Sequence, residues 1–293
     1  MAQTRSPRPP AARLRRVPPS ESPPATTPTG VAEPPVRTAA VWAALDPVVR
    51  AGSLQVLDVG GGAGVFAVPL AQLGHHVTVV DTSADALATL RRRADLAGVG
   101  DRVRGLQGDA DQLDAVLDQA PDGGYELVLV HSVLEVVDDP AATLTGIAAV
   151  LRPGGTLSVT AANRAGAVLA RALGGHPVEA RALLGDRDPA PARSRSRQAR
   201  RRFSPRELVD LVGQAGLRPG DWRGVSVVAD LLESTSGADP AALRTLELAL
   251  AGTSPYRDVA TGLHVLATRE AGGQPPVDDS AHGRHRSADP RPA

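Results

Sequence analysis

Four glycines stand within five residues, at Gly60, Gly61, Gly62 and Gly64, directly after a short apolar run that carries Asp58. A loop so dense in glycine lets its backbone approach a ligand closely, since no side chain intervenes and positive φ costs little. Asp81 ends the next apolar run. An ionised carboxylate only accepts hydrogen bonds, so it suits a pair of ribose hydroxyls. Gly62, Gly64 and Ala67 also satisfy the dinucleotide pattern G-x-G-x-x-A, with Asp81 at the acidic position. A bare tight turn rarely needs four glycines. The loop alone leaves its ligand open: a dinucleotide, a phosphate or something else.

Positioning these residues falls to alternating strands and helices. Residues 54–59 read as a continuous apolar strand, 63–73 as a helix, and 77–80 as a second strand ending at Asp81. Ser83 can cap a helix to about residue 97. Strands follow at 103–107 and 127–130. Asp139 and Pro140 form an N-cap and N1 pair for a helix to residue 151, and 156–160 is a fifth strand. Such alternation implies a parallel sheet covered on both faces. Ligands on these sheets bind beyond the carboxyl ends of the strands, near the switch point, where the glycine loop lies. Later, Ser204 caps a helix to residue 215, 239–250 is another helix, and 223–228 and 263–268 are two further strands. The expected architecture is α/β: a mostly parallel seven-stranded, Rossmann-like sheet with helices on both faces.

Composition sets the limits. The 293 residues contain 42% hydrophobic side chains but only 2% aromatics, so the core must be built from Leu, Val and Ala. Residues 1–35 and 271–293, rich in Pro, Arg and polar residues, read as disordered tails around a domain at 36–270. Within it, 163–200 reads as an insertion. All 32 basic residues are arginine and the net charge is zero, so any attraction to nucleic acid must be local. Absence of cysteine excludes disulfides, cysteine-ligated zinc and a cysteine nucleophile, and no metal is called for. No apolar run reaches about 20 residues, and the N-terminal arginines precede no apolar stretch, so a cytoplasmic location is expected.

The spacing Asp58-x-Gly60-x-Gly62-x-Gly64 resembles the first motif of class I S-adenosylmethionine (SAM) methyltransferases. The resemblance implies a loop passing under the amino-acid part of SAM and Asp81 on the ribose. It also sets the stretch GDAD, from Gly108 to Asp111, beside the adenine; Asp109 or Asp111 alone could equally be a helix cap. The stretch LRPGGTLSV before the fifth strand is similar to the turn found there in this superfamily and not in dehydrogenases. SAM, with S-adenosylhomocysteine (SAH) as product, is therefore the implied cofactor.

A narrower resemblance rests on VHSVLEVVDDP after the fourth strand, VRTAAVWAALD near the start of the domain, and the late segments GVSVVADLLE and SPYRDVATGLHVLATR. These are similar to the bacterial methyltransferases that esterify 5-carboxymethoxyuridine at the tRNA wobble position. The resemblance implies a SAM site of Arg37, Gly60, Gly61, Asp81, Ala110, Asp111 and His131, to which the motif adds Asp58 and Gly62. Arg37 would reach the SAM carboxylate, and His131 would face and position the transfer site without a certain catalytic residue. An arginine of that family's closing segment falls on Thr261 or its neighbours. A carboxylate acceptor is already ionised at neutral pH and needs no general base, which agrees with the lack of an Asn-Pro-Pro-Tyr-type motif after the fourth strand. The arginine run from Arg193 to Arg206, ending near Phe203, could neutralise tRNA phosphates or be a solvated loop. On the first reading, exchanging Arg200, Arg201 and Arg202 weakens RNA binding and leaves the SAM affinity alone. A small-metabolite acceptor and a non-catalytic SAM-binding module are the alternatives.

Overall fold

The computed structural model describes residues 33–117, 121–185, 200–232 and 239–271, all in one compact unit, Ala32–Ala293. Nearly all of the two expected tails, and the arginine run up to Ala199, lie outside the described residues. Strands β1 (Gln55–Val59), β2 (His76–Asp81), β3 (Val103–Gln107), β4 (Tyr125–His131), β5 (Leu151–Ala162), β6 (Leu217–Val225) and β7 (Gly262–Arg269) form one sheet. Its order is β3-β2-β1-β4-β5-β7-β6. β1 to β5 run parallel, and β7 runs antiparallel to both β5 and β6. The order reverses between β1 and β4, which makes that boundary the switch point.

Strand alternation splits the core in two. Val56, Val77, Val79, Leu127 and Leu129 pack with α1 (Ala39–Val49), α2 (Ala67–Gln72) and α3 (Ala84–Leu96). Leu57, Val59, Val128, Val130 and Leu157 pack with α5 (Pro140–Val150) and α8 (Pro205–Gln214), and with Leu113 of the short α4 (Leu113–Val116). Residues one apart on a strand face opposite sides, so a run that is apolar throughout must be covered twice.

Most helix starts are those the sequence specifies. Ser83 accepts from the Ala86 N–H, and Asp139 from those of Ala141 and Ala142. Ser204 and Glu207 form a reciprocal capping box. α2 begins later than expected, because Gly62 and Gly64 hold φ of +54° and +76°, outside the right-handed helical region. β6 also differs from expectation: it starts earlier and ends at Val225, just before Ser226, whose φ is +54°. The expected insertion contributes α6 (Arg164–Leu173) and α7 (Pro177–Leu184); α9 (Pro240–Ala251) precedes β7. Among the described residues, no helix is long and apolar enough to cross a membrane.

Candidate functional site

A cleft of about 400 Å³ opens over the carboxyl ends of β1 to β4, lined by Gly60, Asp81, Ala110, Asp111, Val133 and Asp138 among others. Such a volume is in the range of small-molecule sites. Each glycine of its loop has its own reason. Gly60, Gly62 and Gly64 have positive φ. Gly61 does not; a Cβ there would overlap the Asp58 carboxylate beneath it. At Gly60 a Cβ would stand 2.5 Å from Val133 Cγ2, and at Gly64 it would overlap Leu90. Gly62 is the exception: the nearest atom is Asp81 Oδ2 at 3.8 Å, so the protein leaves that side open. Gly60, Gly61 and Gly64 are thus packed against the fold itself, and Gly62 alone of the four faces largely open space.

Asp81 holds the loop to the sheet. Its Oδ2 accepts from the Gly62 N–H at 2.9 Å and its Oδ1 from the Ser83 N–H at 2.8 Å. A carboxylate offers about four lone-pair positions, so acceptor capacity remains for hydroxyls in the cleft. Asp58 is 2% exposed and its Oδ2 has no partner. Burial, with a smaller push from the Asp81 charge, raises its pKa to about 7.

The wall after β3 is braced to the wall after β4. Asp109 Oδ1 accepts from the Asp111 N–H at 3.1 Å and acts as the local cap. Asp111 Oδ2 accepts from the Asp138 N–H at 3.1 Å, and its Oδ1 accepts from Thr143 Oγ1 at 2.5 Å. Both Asp111 oxygens therefore already hold protein donors.

His131 stands at the end of β4, yet its ring turns along the sheet. Its Nε2 lies 2.9 Å from Ser158 Oγ, which lies 2.9 Å from His264 Nε2. One serine hydroxyl can donate to only one ring and accept from the other, so the two tautomers are linked. Burial is the main cause that lowers both pKa values to about 3, and both rings are neutral at pH 7. His131 Nδ1 has no partner. Phe66 meets the ring edge-on at 4.5 Å and stacks on Trp42 at 5.1 Å. Sequence reasoning missed Ser158 and His264, which become neighbours only through β5–β7 pairing, with Thr160 opposite His264.

Arg37 does not line the cleft. Its side chain is 65% exposed and pairs with Asp230 Oδ1 at 3.1 Å. Asp230 Oδ2 in turn accepts from Thr261 Oγ1 at 2.5 Å. The loop bearing Asp230 is held by Glu247 of α9, which accepts the N–H groups of Val227, Val228 and Ala229. Phe203, near the end of the arginine run, is 4% exposed in the core beneath α8, and its backbone bridges to Asn163 at the end of β5.

Residues 56–155 match the family model described as a methyltransferase domain. The chain is 35% identical over 144 residues to the tRNA 5-carboxymethoxyuridine methyltransferase of Escherichia coli K12, covering 48% of this chain and 54% of that protein. It is 33% identical over 177 residues to a ubiquinone biosynthesis O-methyltransferase of Methylocella silvestris, covering 59% and 61%. The match thus spans little more than half the length of these relatives. The CcbJ methyltransferase of Streptomyces caelestis superposes with a TM-score of 0.51 at 18% identity, covering 82% of this chain and 91% of that one. The magnesium protoporphyrin IX methyltransferase of Synechocystis PCC 6803, solved with bound SAH, superposes with a TM-score of 0.50 at 17% identity, covering 80% and 82%. With the strand order and the glycine loop in agreement with these matches, residues 56–155 are similar to a methyltransferase domain, and the fold is the Rossmann-like one shared with solved SAM-dependent methyltransferases.

Proposed function

We propose that the protein is a cytoplasmic SAM-dependent O-methyltransferase and that the cleft over β1 to β4 binds SAM. The open side of Gly62 facing Asp81 is the observation that carries the reading. When bound, SAM supplies a methyl group on a sulfonium, activated by its positive charge. Gly60, Gly61 and Gly62 would lie against its amino-acid part, Asp81 would hold the ribose hydroxyls, and Ala110 and Asp111 would flank the adenine. Arg37 would reach the carboxylate by leaving Asp230. Burial keeps His131 uncharged, so it adds no like charge beside a sulfonium. The chain's contribution is positioning, which can supply roughly 7–11 kcal/mol when the reacting atoms are held in line.

For the acceptor we propose the carboxylate of a modified wobble uridine in tRNA. Its support is the similarity to the E. coli enzyme together with the segments around His131 and Arg37. A second reading, a small-molecule hydroxyl acceptor, has an observation in its favour. Where the first family has a closing-segment arginine, Thr261 stands here, bonded to the acidic Asp230. An anionic acceptor gains nothing from that pair, and the similarity to ubiquinone O-methyltransferases points the same way. Mass spectrometry of tRNA nucleosides from a deletion strain tests the first reading. Loss of the carboxymethoxyuridine methyl ester supports it; unchanged nucleosides leave the hydroxyl acceptor. Failure to transfer a methyl group to either acceptor class would favour a binding module.

A further inference from the structure

The sequence groups Arg201 with surface arginines that could meet phosphates. The structure turns it inward. Its Nη1 donates to the carbonyls of Leu134 and Val137, both at 3.0 Å. Its Nη2 reaches the Asp138 carbonyl at 3.4 Å, and its backbone N–H donates to the Glu135 carbonyl at 3.1 Å. One residue thereby serves four of the five carbonyls between residues 134 and 138.

That loop is a wall of the cleft, to which Val136, Val137 and Asp138 contribute. It leaves β4 through Ser132, which has a φ of +59°, and ends at the Asp139 cap of α5. Its conformation is irregular, so its carbonyls find no partners within a helix or strand ladder. Buried carbonyls need donors, and a guanidinium offers five in a rigid fork. Asp138 is held on both sides, its N–H by Asp111 and its carbonyl by Arg201. Glu135 adds a third tie, accepting the Ala162 N–H at 2.8 Å.

We propose that Arg201 is a positioning residue for the cofactor, fixing the loop 134–138 that walls the cleft so that SAM affinity depends on a residue of the basic run. The inference rests on reading the cleft as the SAM site. It changes the expectation for the exchange of Arg200, Arg201 and Arg202: SAM affinity falls with it, through Arg201. A triple variant of that kind therefore cannot by itself report on RNA binding.

The test is titration calorimetry of the full chain with SAH, for the wild type, Arg201→Ala, Arg201→Lys and Arg171→Ala. Arg171 is a surface arginine of α6, paired with Glu179, and controls for loss of charge. Arg201→Ala is expected to raise the Kd of SAH at least tenfold. Arg201→Lys falls between, because a point charge cannot span the fork's acceptors, and Arg171→Ala matches the wild type. Millimolar guanidinium, compared with potassium at equal concentration, should restore part of the Arg201→Ala loss. Hydrogen exchange should quicken at residues 133–138 in Arg201→Ala. A folded Arg201→Ala with a lower Tm but a Kd within twofold of wild type would make Arg201 merely structural and overturn the proposal. If Arg201→Ala does not fold, Arg201→Lys decides by the same threshold. No SAH binding to the wild type would overturn the cofactor reading, and this inference with it.

Discussion

Replacing Gly61 by Ala isolates one cause of the glycine loop. Gly61 has no positive φ, so alanine meets no backbone penalty there, and by chain entropy alone it should stabilise the fold by about 0.4–1 kcal/mol. The added Cβ, however, overlaps the Asp58 carboxylate and comes within 2.9 Å of Val79 Cγ1. Asp58 cannot retreat: it is 2% exposed and sits in register with Val79 on one side and Leu129 on the other. Overpacking of this kind costs about 1–3 kcal/mol. Set against the entropic gain, the net loss is about 1.3 kcal/mol, or roughly 3–5 °C in Tm for a domain of this size. Gly62→Ala should lose about 1–2 kcal/mol as well, but from left-handed backbone strain and not from a clash. A double-mutant cycle by urea unfolding separates the two. Combining Asp58→Ala with Gly61→Ala removes the clashing carboxylate, so coupling of about 0.5–3 kcal/mol is expected in the stabilising direction. The same Asp58 change combined with Gly62→Ala should be additive. Additivity in the Asp58/Gly61 pair would refute the steric account.

Asp81→Ala should weaken SAH binding by about 1.5–3 kcal/mol, since it removes a charged acceptor from both ribose and loop; Gly62→Val should do at least as much harm, and unchanged affinity in both by calorimetry would reduce the glycine loop to a turn. Arg37→Lys should weaken SAM binding because a point charge cannot replace the bidentate fork, whereas Asp230→Asn, which frees Arg37, should leave affinity equal or tighter; full activity of Arg37→Lys at limiting SAM would contradict this. Stability should rise between about pH 4 and 6.5. Across that window unfolding takes up protons at His131 and His264, whose folded pKa values are about 3, and releases one from Asp58, whose folded pKa is about 7. The histidines contribute stability that is present above pH 6.5 and lost as pH falls, while Asp58 acts in the opposite sense. The net is one proton, or about 1.4 kcal/mol per pH unit, with burial of His75 and of Glu135 adding opposed contributions. Urea midpoints that stay flat or fall from pH 4.5 to 6.5 would show that the buried rings are not held neutral.

Much of this molecule was legible from local chemistry. Continuous apolar strands required cover on two faces, and the two cores supply it. Ser83, Asp139 and Ser204 marked helix starts, because a cap is a contact between residues two or three apart. The spacing of the glycine loop and Asp81 marked a strand, a turn and the end of the next strand, and all three stand where it set them. What the sequence left open depends on partners far apart along the chain. Ser158 and His264 meet across 106 residues. Arg37 is engaged by Asp230, and Arg201 by the carbonyls of Leu134 and Val137, more than 60 residues away. An arginine reads the same in a sequence whether it faces solvent, phosphate or a buried carbonyl. Only the fold decides which acceptors lie within reach, because burial and hydrogen-bond partnership are properties of the packed chain and not of the residue type.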